Sequence, residues 1–567
     1  MPKTHFKHYP VRPKRLTAEF VKREYAKLLK RLPTAEAAKS PKLWLELFAD
    51  WNALRSYIGS ESSRLYFAYS QNVKDKKLDA AIKYQREKIY PATAKPGYRL
   101  MTAFLASRHK SALLKKYGQR IEIDYEVSLK PNDPINTRPQ IKVSRLCQRY
   151  NKLIAAAKAK VRAQSLTIVK AGALLESADP ELRHAAFVAI REWYLKHHQQ
   201  LAKLFNELLE LRQQMARNVG LGSYIDLAYQ NMGRTDYGPA EVANFRLLIL
   251  KYFVPLKKKI IREQARQLGA KSLAAWDTGY KPATTLAPNI ASVDTQLTKT
   301  QELFDKLGPP FGHYFRRMRA RHLIDLENRP NKQSGPYCTV FTDEGEAAVF
   351  CNSTGSAQDI VTLTHEMGHA FQAIEASPIE AIDMQFGTID LAEVFSTTME
   401  YLCLPQIDTF FKTDDAKKYR QARWDRAVDI LCYSCVVDEF QHWLYAQPKA
   451  SPAARDKQWV ELYAKYIPGL DWRGLQQYRA LRWYAQGHIF NSPFYYIDYA
   501  LAEVCAIQLA LIDQKDHKKA MDIYLRLCRL GGTKSFLEAI KSVGLRSPFD
   551  EKLIASLAKH AANQLGV

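Results

Sequence analysis

The sequence lacks any long apolar run. No part of its 567 residues reaches the roughly 18 consecutive apolar residues that a membrane-spanning helix requires. The richest segment, YALAEVCAIQLALI at 499–512, is interrupted by Glu503 and Gln508. The N-terminal segment 1–31 contains ten basic and two acidic residues but no apolar stretch of the kind found in secretory signals. We therefore expect a soluble protein that stays in the cytoplasm and has no membrane partner.

Acidic residues are scarce relative to basic ones. The chain has 58 Asp and Glu against 84 Lys and Arg, which gives a formal net charge of +26. Such an excess is typical of proteins that bind nucleic acids, anionic membrane surfaces or acidic substrates. The basic residues are spread along the chain and form no basic and aromatic stripe in one element, which favours an electropositive solvated surface. A nucleic-acid-binding protein with a non-catalytic metal site is a remote alternative.

Paired cysteines and strand patterns are also rare. The eight cysteines are ordinary usage for a reduced compartment. Cys432-x-x-Cys435 lacks the second pair or the βαβ context that a metal or redox site needs, so we interpret both as buried thiols. Two segments carry short alternating patterns: 125–146, around a proline-rich turn, and 336–356, where two strands flank an Asp-Glu-Gly-Glu turn.

Most of the chain has the apolar spacing of amphipathic helices. The run 179–220 is strongly periodic and ends at a glycine, a typical helix stop. Pro255 predicts a kink or break in a further helix over 240–269. The chain is too long for one ordinary core. We predict two domains, an N-terminal helical lobe at 1–205 and a second region at 206–567, in a mainly α fold with a small β-sheet.

The segment DIVTLTHEMGHAFQ at 359–372 places two histidines four residues apart. On a helix, His365 and His369 lie on one face and can bind one metal ion, while Glu366 lies beside them, where it can act as a general base. A five-residue match of this kind also arises by chance, so a third ligand is needed. Gly368 inside the helix costs ~1 kcal/mol relative to Ala and indicates close approach of another backbone or of substrate.

A second helix is predicted from Asp390 onward, in DLAEVFSTTMEYLC. The chain between the two helices is long enough, past Pro378, for the second helix to return to the first. Glu393 is therefore the candidate third ligand of a Zn2+ ion. Glu400 lies further along nearly the same helix face and is the candidate partner that orients a ligating histidine by accepting a hydrogen bond. A solvated glutamate is the alternative for Glu400.

With these residues in place, the sequence resembles peptidase family M3, the group of thimet oligopeptidase and oligoendopeptidase F, and looks closest to bacterial oligoendopeptidases of the F type. The segments that resemble the metal-binding part of the family are LTHEMGHAFQ and AEVFSTTMEYL. Two further matching blocks are VFCNSTGSAQDI and GHIFNSPFYYIDYALAEVCAIQL. The match covers roughly residues 180–567. The resemblance implies a two-lobed, almost wholly helical ellipsoid with a deep channel between the lobes and one Zn2+ ion on its floor.

The resemblance also implies further site residues. In the family, a tyrosine and a histidine of the segment HIFNSPFYYIDY face the metal, and they match Tyr499, the expected donor to the oxyanion, and His488. Tyr496 and Tyr495 are candidate substrate contacts, and a place in the core is the alternative for each.

The strand EAAVFCN, which ends at Asn352, is expected to line the cleft near the zinc helix. An extended peptide could pair with its edge. Asn352 is a candidate substrate contact, and Gly355 is expected to be a flexible point in the loop that leads to the zinc helix. A buried strand is the alternative.

We therefore predict a zinc-dependent endopeptidase that hydrolyses short unfolded peptides by means of an activated water, with Glu366 as the base. The alternative is a carboxypeptidase or dipeptidyl carboxypeptidase with the same His-Glu-Met-Gly-His motif and a downstream glutamate. The third-ligand segment of such enzymes typically has His-Glu-Ala, whereas this chain has Ala392-Glu393-Val394. The sequence predicts no oligomeric state.

Overall fold

The computed structural model describes residues 9–13, 15–280, 288 and 290–567. Residues 1–8 lie outside the described residues. They begin the N-terminal segment for which the sequence predicts no secretory signal. In the described part of the chain, no helix is both long and apolar enough to cross a membrane.

The fold is mainly helical, as predicted. The helices are α1 Ala18–Ala37, α2 Lys42–Gln71, α3 Lys76–Tyr84, α4 Tyr90–Ala106, α5 Lys110–Tyr117, α6 Arg120–Ser128, α7 Thr137–Ala155, α8 Ile168–Ala173, α9 Pro180–Lys196, α10 His198–Asn218, α11 Tyr224–Asn231, α12 Pro239–Gln267, α13 Val293–Leu307, α14 Phe311–Ala320, α15 Ala357–Ala376, α16 Ile389–Leu402, α17 Thr413–Ala446, α18 Pro452–Tyr466, α19 Arg482–Ala485, α20 Gly487–Asn491, α21 Ile497–Asp513, α22 His517–Leu530, α23 Phe536–Ser542 and α24 Glu551–Leu565.

Short strands form three small sheets among the described residues. The strands are β1 Lys158–Val161, β2 Gln164–Thr167, β3 Leu273–Ala274, β4 Ile324–Asp325, β5 Tyr337–Phe341, β6 Glu346–Phe350 and β7 Leu470–Asp471. The sheet next to α15 has the order β4-β6-β5, with β5 antiparallel and β4 parallel to β6. This sheet confirms the two strands predicted in 336–356.

The strands predicted in segment 125–146 are wrong. The segment belongs to α6 and α7, because Val143 and Tyr150 bury one face of α7 at helical spacing. Pro139 is the third residue of α7, where a missing backbone N–H breaks no intrahelical hydrogen bond. The strands of this region are instead β1 and β2, which pair antiparallel across a tight turn.

Pro255 does not break α12, which is continuous over Pro239–Gln267. On either side of the proline, Phe253, Val254 and Leu256 are buried. Their packing compensates for the hydrogen bond that proline cannot donate.

Cys432 and Cys435 are free thiols buried in α17. This placement confirms their interpretation as buried thiols. Burial raises the pKa of both thiols, which disfavours the reactive thiolate.

The buried apolar side chains form two large clusters. The first cluster runs from Ala18 to Tyr125, and the second runs from Val143 to Ala561. The domain boundary proposed at residue 205 stays a prediction; in the structure Phe205 is buried in the second cluster, and α10 continues through it. The change from one cluster to the other lies between residues 125 and 143.

The loop between α15 and α16 packs into the first cluster. Ala381 and Met384 of this loop are buried there. Arg55 of α2 donates to both oxygens of Asp383 at 2.7 Å each. Because the loop joins α15 to α16, the first cluster helps to position these two helices.

Candidate metal centre and active site

The helix α15 begins at a tightly bonded turn. Ser356 and Asp359 form a capping box. The Asp359 carboxylate accepts hydrogen bonds from the backbone N–H groups of Thr354, Gly355 and Ser356 at 2.7, 2.6 and 2.9 Å. Gly355 has φ +83°, a value that other residues adopt only at a cost. Gly355 is expected to be a flexible point, but in the structure it lies in a turn that three hydrogen bonds hold in place.

Gly368 brings α15 and α16 into backbone contact. A Cβ atom at this position would lie 2.6 Å from the Cα of Ser396 and 2.7 Å from the carbonyl oxygen of Phe395. Of the two reasons considered for this glycine, the structure supports close approach of another backbone. A side chain at Gly368 would push α16, and Glu393 with it, away from α15.

Three side chains converge between these helices. The His365 Nε2 lies 3.3 Å and the His369 Nε2 lies 3.8 Å from Glu393 Oε2, and all three ligand atoms lie within 4.8 Å of one another. Glu393 is buried, whereas both imidazoles are partly exposed. Two imidazole nitrogens and one carboxylate oxygen are a typical donor set for catalytic zinc, and three protein ligands leave one position open. These residues could therefore hold a metal ion.

Glu400 orients His365. Its Oε1 lies 2.8 Å from His365 Nδ1, so Nδ1 donates and Nε2 is directed to the site, where it would offer a lone pair to a metal ion that displaces its proton. Arg423 lies 3.1 Å from the other oxygen of Glu400 and donates two hydrogen bonds of 2.9 Å to Glu503. Burial acts to raise the pKa of Glu400, but the charge of Arg423 and the hydrogen bond to His365 outweigh burial and lower this pKa to about 2. The sequence contained no signal for Arg423, because it lies on α17 and its partners come from two other helices, α16 and α21.

Burial and the neighbouring carboxylates set the protonation of the two histidines. Burial lowers the pKa of His369 to about 4, so its imidazole is neutral and can act as a ligand. Burial also acts to lower the pKa of His365, but Glu393 and Glu400 outweigh it and raise that pKa to about 10. A metal ion would displace the proton from His365, so metal binding is coupled to proton release.

Glu366 is buried beside this site. Burial, together with the charges of Glu393 and Glu400, raises its pKa to about 7 against the opposing charge of His365. The backbone N–H of Cys338 in β5 donates to its carboxylate. A carboxylate with a pKa near neutrality suits proton transfer at neutral pH.

Tyr495 and Tyr499 contact different parts of the site. The Tyr495 hydroxyl donates to Glu393 Oε1, so this hydroxyl is committed to the third ligand and is not free for the substrate contact predicted for it. The Tyr499 hydroxyl lies 3.4 Å from His488 Nε2. Burial and the negative charges of Glu393 and Glu366 raise the pKa of Tyr499, so its hydroxyl stays protonated and can donate a hydrogen bond.

A chain of hydrogen bonds sets the tautomer of His488. The Tyr433 hydroxyl donates to Gln486 Oε1 at 2.9 Å, and Gln486 Nε2 donates to His488 Nδ1 at 2.9 Å. Nδ1 is then an acceptor, so the hydrogen of the neutral ring is on Nε2 and points at Tyr499. Burial lowers the pKa of His488 and favours this neutral form. Sequence reasoning missed Gln486, which nothing distinguishes from an exposed glutamine.

Tyr496 lies next to these groups, with its ring centroid 4.9 Å from that of His488 and 5.3 Å from that of Tyr499. Its side chain is half-buried. Asn352, in contrast, donates its amide to the carbonyl of Gln333 at 2.9 Å. Tyr496 thus stays a candidate substrate contact, and Asn352 ties two loops together.

The strand predicted to offer an edge, β6, lies in the centre of its sheet. Its five residues are all buried, and β4 and β5 pair with its two sides. The expected peptide pairing at β6 is therefore wrong, and the buried-strand alternative holds. Among the described strands, β5 pairs only with β6. On its unpaired side, the backbone N–H of Cys338 is directed to Glu366.

Comparisons with known proteins identify relatives of this chain. The sequence model of peptidase family M3 matches residues 173–559, and that of the peptidase M3 N-terminal domain matches residues 6–131. The group B oligopeptidase PepB of Streptococcus agalactiae is 22% identical over 380 residues, 66% of this chain and 61% of that protein. The oligoendopeptidase F homolog of Borreliella burgdorferi is 21% identical over 386 residues, 65% of this chain and 62% of that protein. In both cases the match spans less than two thirds of the relative's own length.

Solved structures match over the whole chain. PZ peptidase A, solved with an inhibitor, has a TM-score of 0.93 and 29% identity, with 99% of each chain covered. A structure assigned to oligoendopeptidase F of Bacillus anthracis has a TM-score of 0.88 and 27% identity, covering 100% of this chain and 99% of the other. The family match extends over well more than half of the sequence and includes every residue of the metal centre, so the chain belongs to peptidase family M3.

Proposed function

We propose that the protein is a zinc endopeptidase that hydrolyses short, unfolded peptides. The observation that carries this proposal is the convergence of His365, His369 and Glu393 within 4.8 Å of one another, with the buried carboxylate of Glu366 beside them. The donor set fits Zn2+, and membership of family M3 supports peptides as the substrate class. When bound, zinc supplies the Lewis acidity that activates water and polarises the scissile carbonyl.

Glu366 moves the proton in this proposal. With its pKa raised by burial to about 7, the carboxylate is partly ionised at neutral pH and can accept a proton from the attacking water. The N–H of Cys338 restrains the carboxylate. The protonated acid can then deliver the proton to the leaving amine, so one residue serves as base and as acid.

Tyr499 stabilises the oxyanion that forms on the substrate. Since His488 donates its Nε2 hydrogen towards the Tyr499 oxygen, the phenolic hydrogen is left to point at the substrate. A donor of this kind typically contributes ~3–4 kcal/mol to transition-state stabilisation. Tyr495 supports the reaction indirectly, by holding Glu393.

The unpaired side of β5 is the proposed place for the peptide backbone. An extended peptide that pairs with this strand would gain main-chain hydrogen bonds with little demand on sequence. It would also lie next to Glu366, which the same strand contacts through Cys338. This arrangement favours unfolded chains, because most backbone groups of a folded protein are already paired within its own structure.

Glu366→Gln tests the chemistry. We expect the variant to keep its zinc, because Glu366 is no ligand, and to lose roughly 10²–10⁴-fold in kcat, the usual contribution of a general base. Zinc content by mass spectrometry and hydrolysis of a fluorogenic peptide measure the two quantities. Glu393→Ala is the matched control and should release zinc, since two imidazoles alone make a weak site. Parallel loss of zinc and activity in Glu366→Gln would contradict the assigned role.

The position of the cut tests the endopeptidase assignment. Mass spectrometry of products from peptides with a blocked N-terminus and an amidated C-terminus should show internal cleavage. Release of C-terminal dipeptides alone, with amidated peptides left intact, would instead identify a dipeptidyl carboxypeptidase.

A further inference from the structure

A cavity of about 670 Å³ lies between the first cluster and the loop that joins α15 to α16. Its walls come from α2, α4 and α6 on one side and from residues 230–233 and 383–389 on the other. Its volume falls within the range of ligand-binding cavities, roughly 300–1,000 Å³. The space is equivalent to about 20 water molecules, more than a single packing defect would leave.

The cavity is close to the metal centre. Thr388 and Ile389, which line it, precede and begin α16. Ile389 and Glu393 are four residues apart, so they lie on the same helix face, about 6 Å apart along the axis. The next residue of that face, Ala392, is only half-buried. The part of α16 that lines the cavity is therefore about one helical turn from Glu393.

The walls favour uncharged, aromatic or apolar groups. Among the described residues the charged lining groups pair with one another: Arg55 bonds Asp383 at 2.7 Å, and Arg120 lies 2.6 Å from Asp124. No lining charge is thus left over for a charged ligand. The remaining walls are rich in aromatic rings, which stack on aromatic side chains; these are Tyr25, Trp51, Tyr90, Tyr98, Tyr125 and Phe386.

Two helical glycines keep the cavity open. Gly59 in α2 and Gly97 in α4 both line it. Among the described residues, a Cβ at Gly59 would meet nothing within 4 Å, and one at Gly97 would meet only the Tyr25 hydroxyl at 3.9 Å. Glycine weakens a helix relative to alanine, and neither position is crowded by a neighbouring backbone. What glycine provides at both positions is space in the cavity.

We infer that this cavity binds a segment of the peptide substrate remote from the scissile bond, one with uncharged aromatic or apolar side chains. The inference rests on the proposed peptidase function. A peptide long enough to reach from the metal centre into the cavity gains these contacts, and a shorter one does not. Longer peptides with an aromatic residue at the far end should therefore have lower KM values than short ones, and a Lys or Glu placed there should cancel the gain.

Filling the cavity tests the inference. Gly97→Leu and Gly59→Leu place a side chain in the space, and helix propensity favours leucine over glycine, so folding should be preserved. For a series of blocked peptides of increasing length, we expect KM for the long aromatic members to rise on the order of tenfold, the loss of about one good aromatic contact. The values of kcat and KM for the shortest member should stay unchanged. Gly97→Ala should give a smaller rise.

Gly172→Leu is the matched control. Gly172 lies in α8, a Cβ added there would meet no described atom within 4 Å, and the residue does not line the cavity. Unchanged KM values for all lengths in both leucine variants, or an equal loss for short and long peptides, would overturn the inference. Equilibrium binding of the long peptide to Glu366→Gln, with and without Gly97→Leu, separates the two proposals. Weaker binding with Gly97→Leu would support the role of the cavity even if the wild-type enzyme cleaves no peptide. Absence of cleavage would refute only the proposed peptidase function.

Discussion

Tyr495 and Tyr499 are four residues apart, yet their hydroxyls have different surroundings. Tyr495 donates to Glu393, a metal-ligand candidate, whereas Tyr499 lies next to His488. A hydroxyl bonded to a ligand carboxylate stabilises the site in every state of the reaction. A hydroxyl free to donate to an oxyanion acts mainly in the transition state, and such interactions change kcat more than KM.

Tyr499→Phe removes one oxygen and keeps the ring, so packing should change little. We expect kcat to fall roughly 10²–10³-fold, the size seen when an oxyanion donor is removed, with KM and zinc content near wild type. Steady-state kinetics and metal analysis of the purified variant measure this. If Tyr499→Phe keeps wild-type turnover, Tyr499 is not the donor to the oxyanion. Tyr496, whose ring centroid lies 5.3 Å from that of Tyr499, would then be the candidate donor.

Gln486→Met should lower kcat through His488. Without the donor at Nδ1, the imidazole can take the other tautomer and lose its bond to Tyr499. We expect a loss of roughly tenfold in kcat, equivalent to one hydrogen bond of about 1–1.5 kcal/mol, with KM unchanged. ¹⁵N NMR of labelled histidine should show the change of tautomer.

Two comparisons control this experiment. Gln476→Met changes an exposed glutamine nearby and should have no effect. In a Tyr499→Phe background, Gln486→Met should cause no further loss if it acts through Tyr499. A full additional loss in the double variant would show that Gln486 acts by another route.

The helix pair α15 and α16 is the element that assembles the ligands. Each helix alone presents an incomplete set of ligands: His365 and His369 lie on α15, and Glu393 lies on α16 together with Glu400, which orients His365. Their distance is set where Gly368 meets the backbone of Ser396 and Phe395. Ligand geometry therefore depends on a residue that carries no functional group.

Gly368→Ala should separate the two helices. A Cβ at 2.6 Å from a backbone atom cannot be accommodated without movement, and overpacking of this kind costs about 1–3 kcal/mol. We expect lower stability in denaturant unfolding and weaker zinc binding in a chelator competition. Gly172→Ala, in a helix with open space around the glycine, should instead be neutral or slightly stabilising. Wild-type zinc affinity in Gly368→Ala would show that the helices can adjust.

For the molecule as a whole, the loop between α15 and α16 is one link between the first cluster and the metal centre. Arg55 and Asp383 form the link, with side chains 19% and 28% exposed. Tyr125 of α6 also donates to Asp383 at 2.8 Å. The N-terminal part of the chain therefore contributes to the active site without supplying a ligand.

Arg55→Met should weaken this link. Hydrogen bonds to a charged partner contribute about 1.5–3 kcal/mol, and Asp383 would lose two of them. We expect lower stability in urea unfolding and a measurable loss of zinc affinity, because the loop positions α15 and α16. The double variant Arg55→Met/Asp383→Leu should recover part of the stability, since no unpaired carboxylate remains. Unchanged zinc affinity in Arg55→Met would show that the metal centre does not depend on this ion pair.

Local patterns were sufficient for the helical fold class, the sheet strands β5 and β6, and the metal-ligand candidates. His365, Glu366 and His369 occur on one helix, where spacing alone fixes which side chains share a face. The cost of glycine inside a helix predicts close approach of another backbone or of substrate at Gly368, and the structure shows another backbone there. The errors occurred where neighbours decide: segment 125–146 became helical through its contacts, and Pro255 stayed in a helix whose buried side chains outweigh one missing hydrogen bond.

Tertiary structure alone decided the arrangement around the ligands. Arg423, Gln486 and Tyr433 are polar residues with no motif. Arg423 acquires its role from Glu400, and Gln486 acquires its role by joining His488 to Tyr433, which is distant in sequence. The central place of β6, the bonded turn at Gly355 and the cavity between the clusters likewise depend on which segments pack together. Local sequence determines backbone propensity and face periodicity, which act over a few residues. Burial, pairing of charges and strand order depend on contacts between distant segments, and these exist only once the chain has folded.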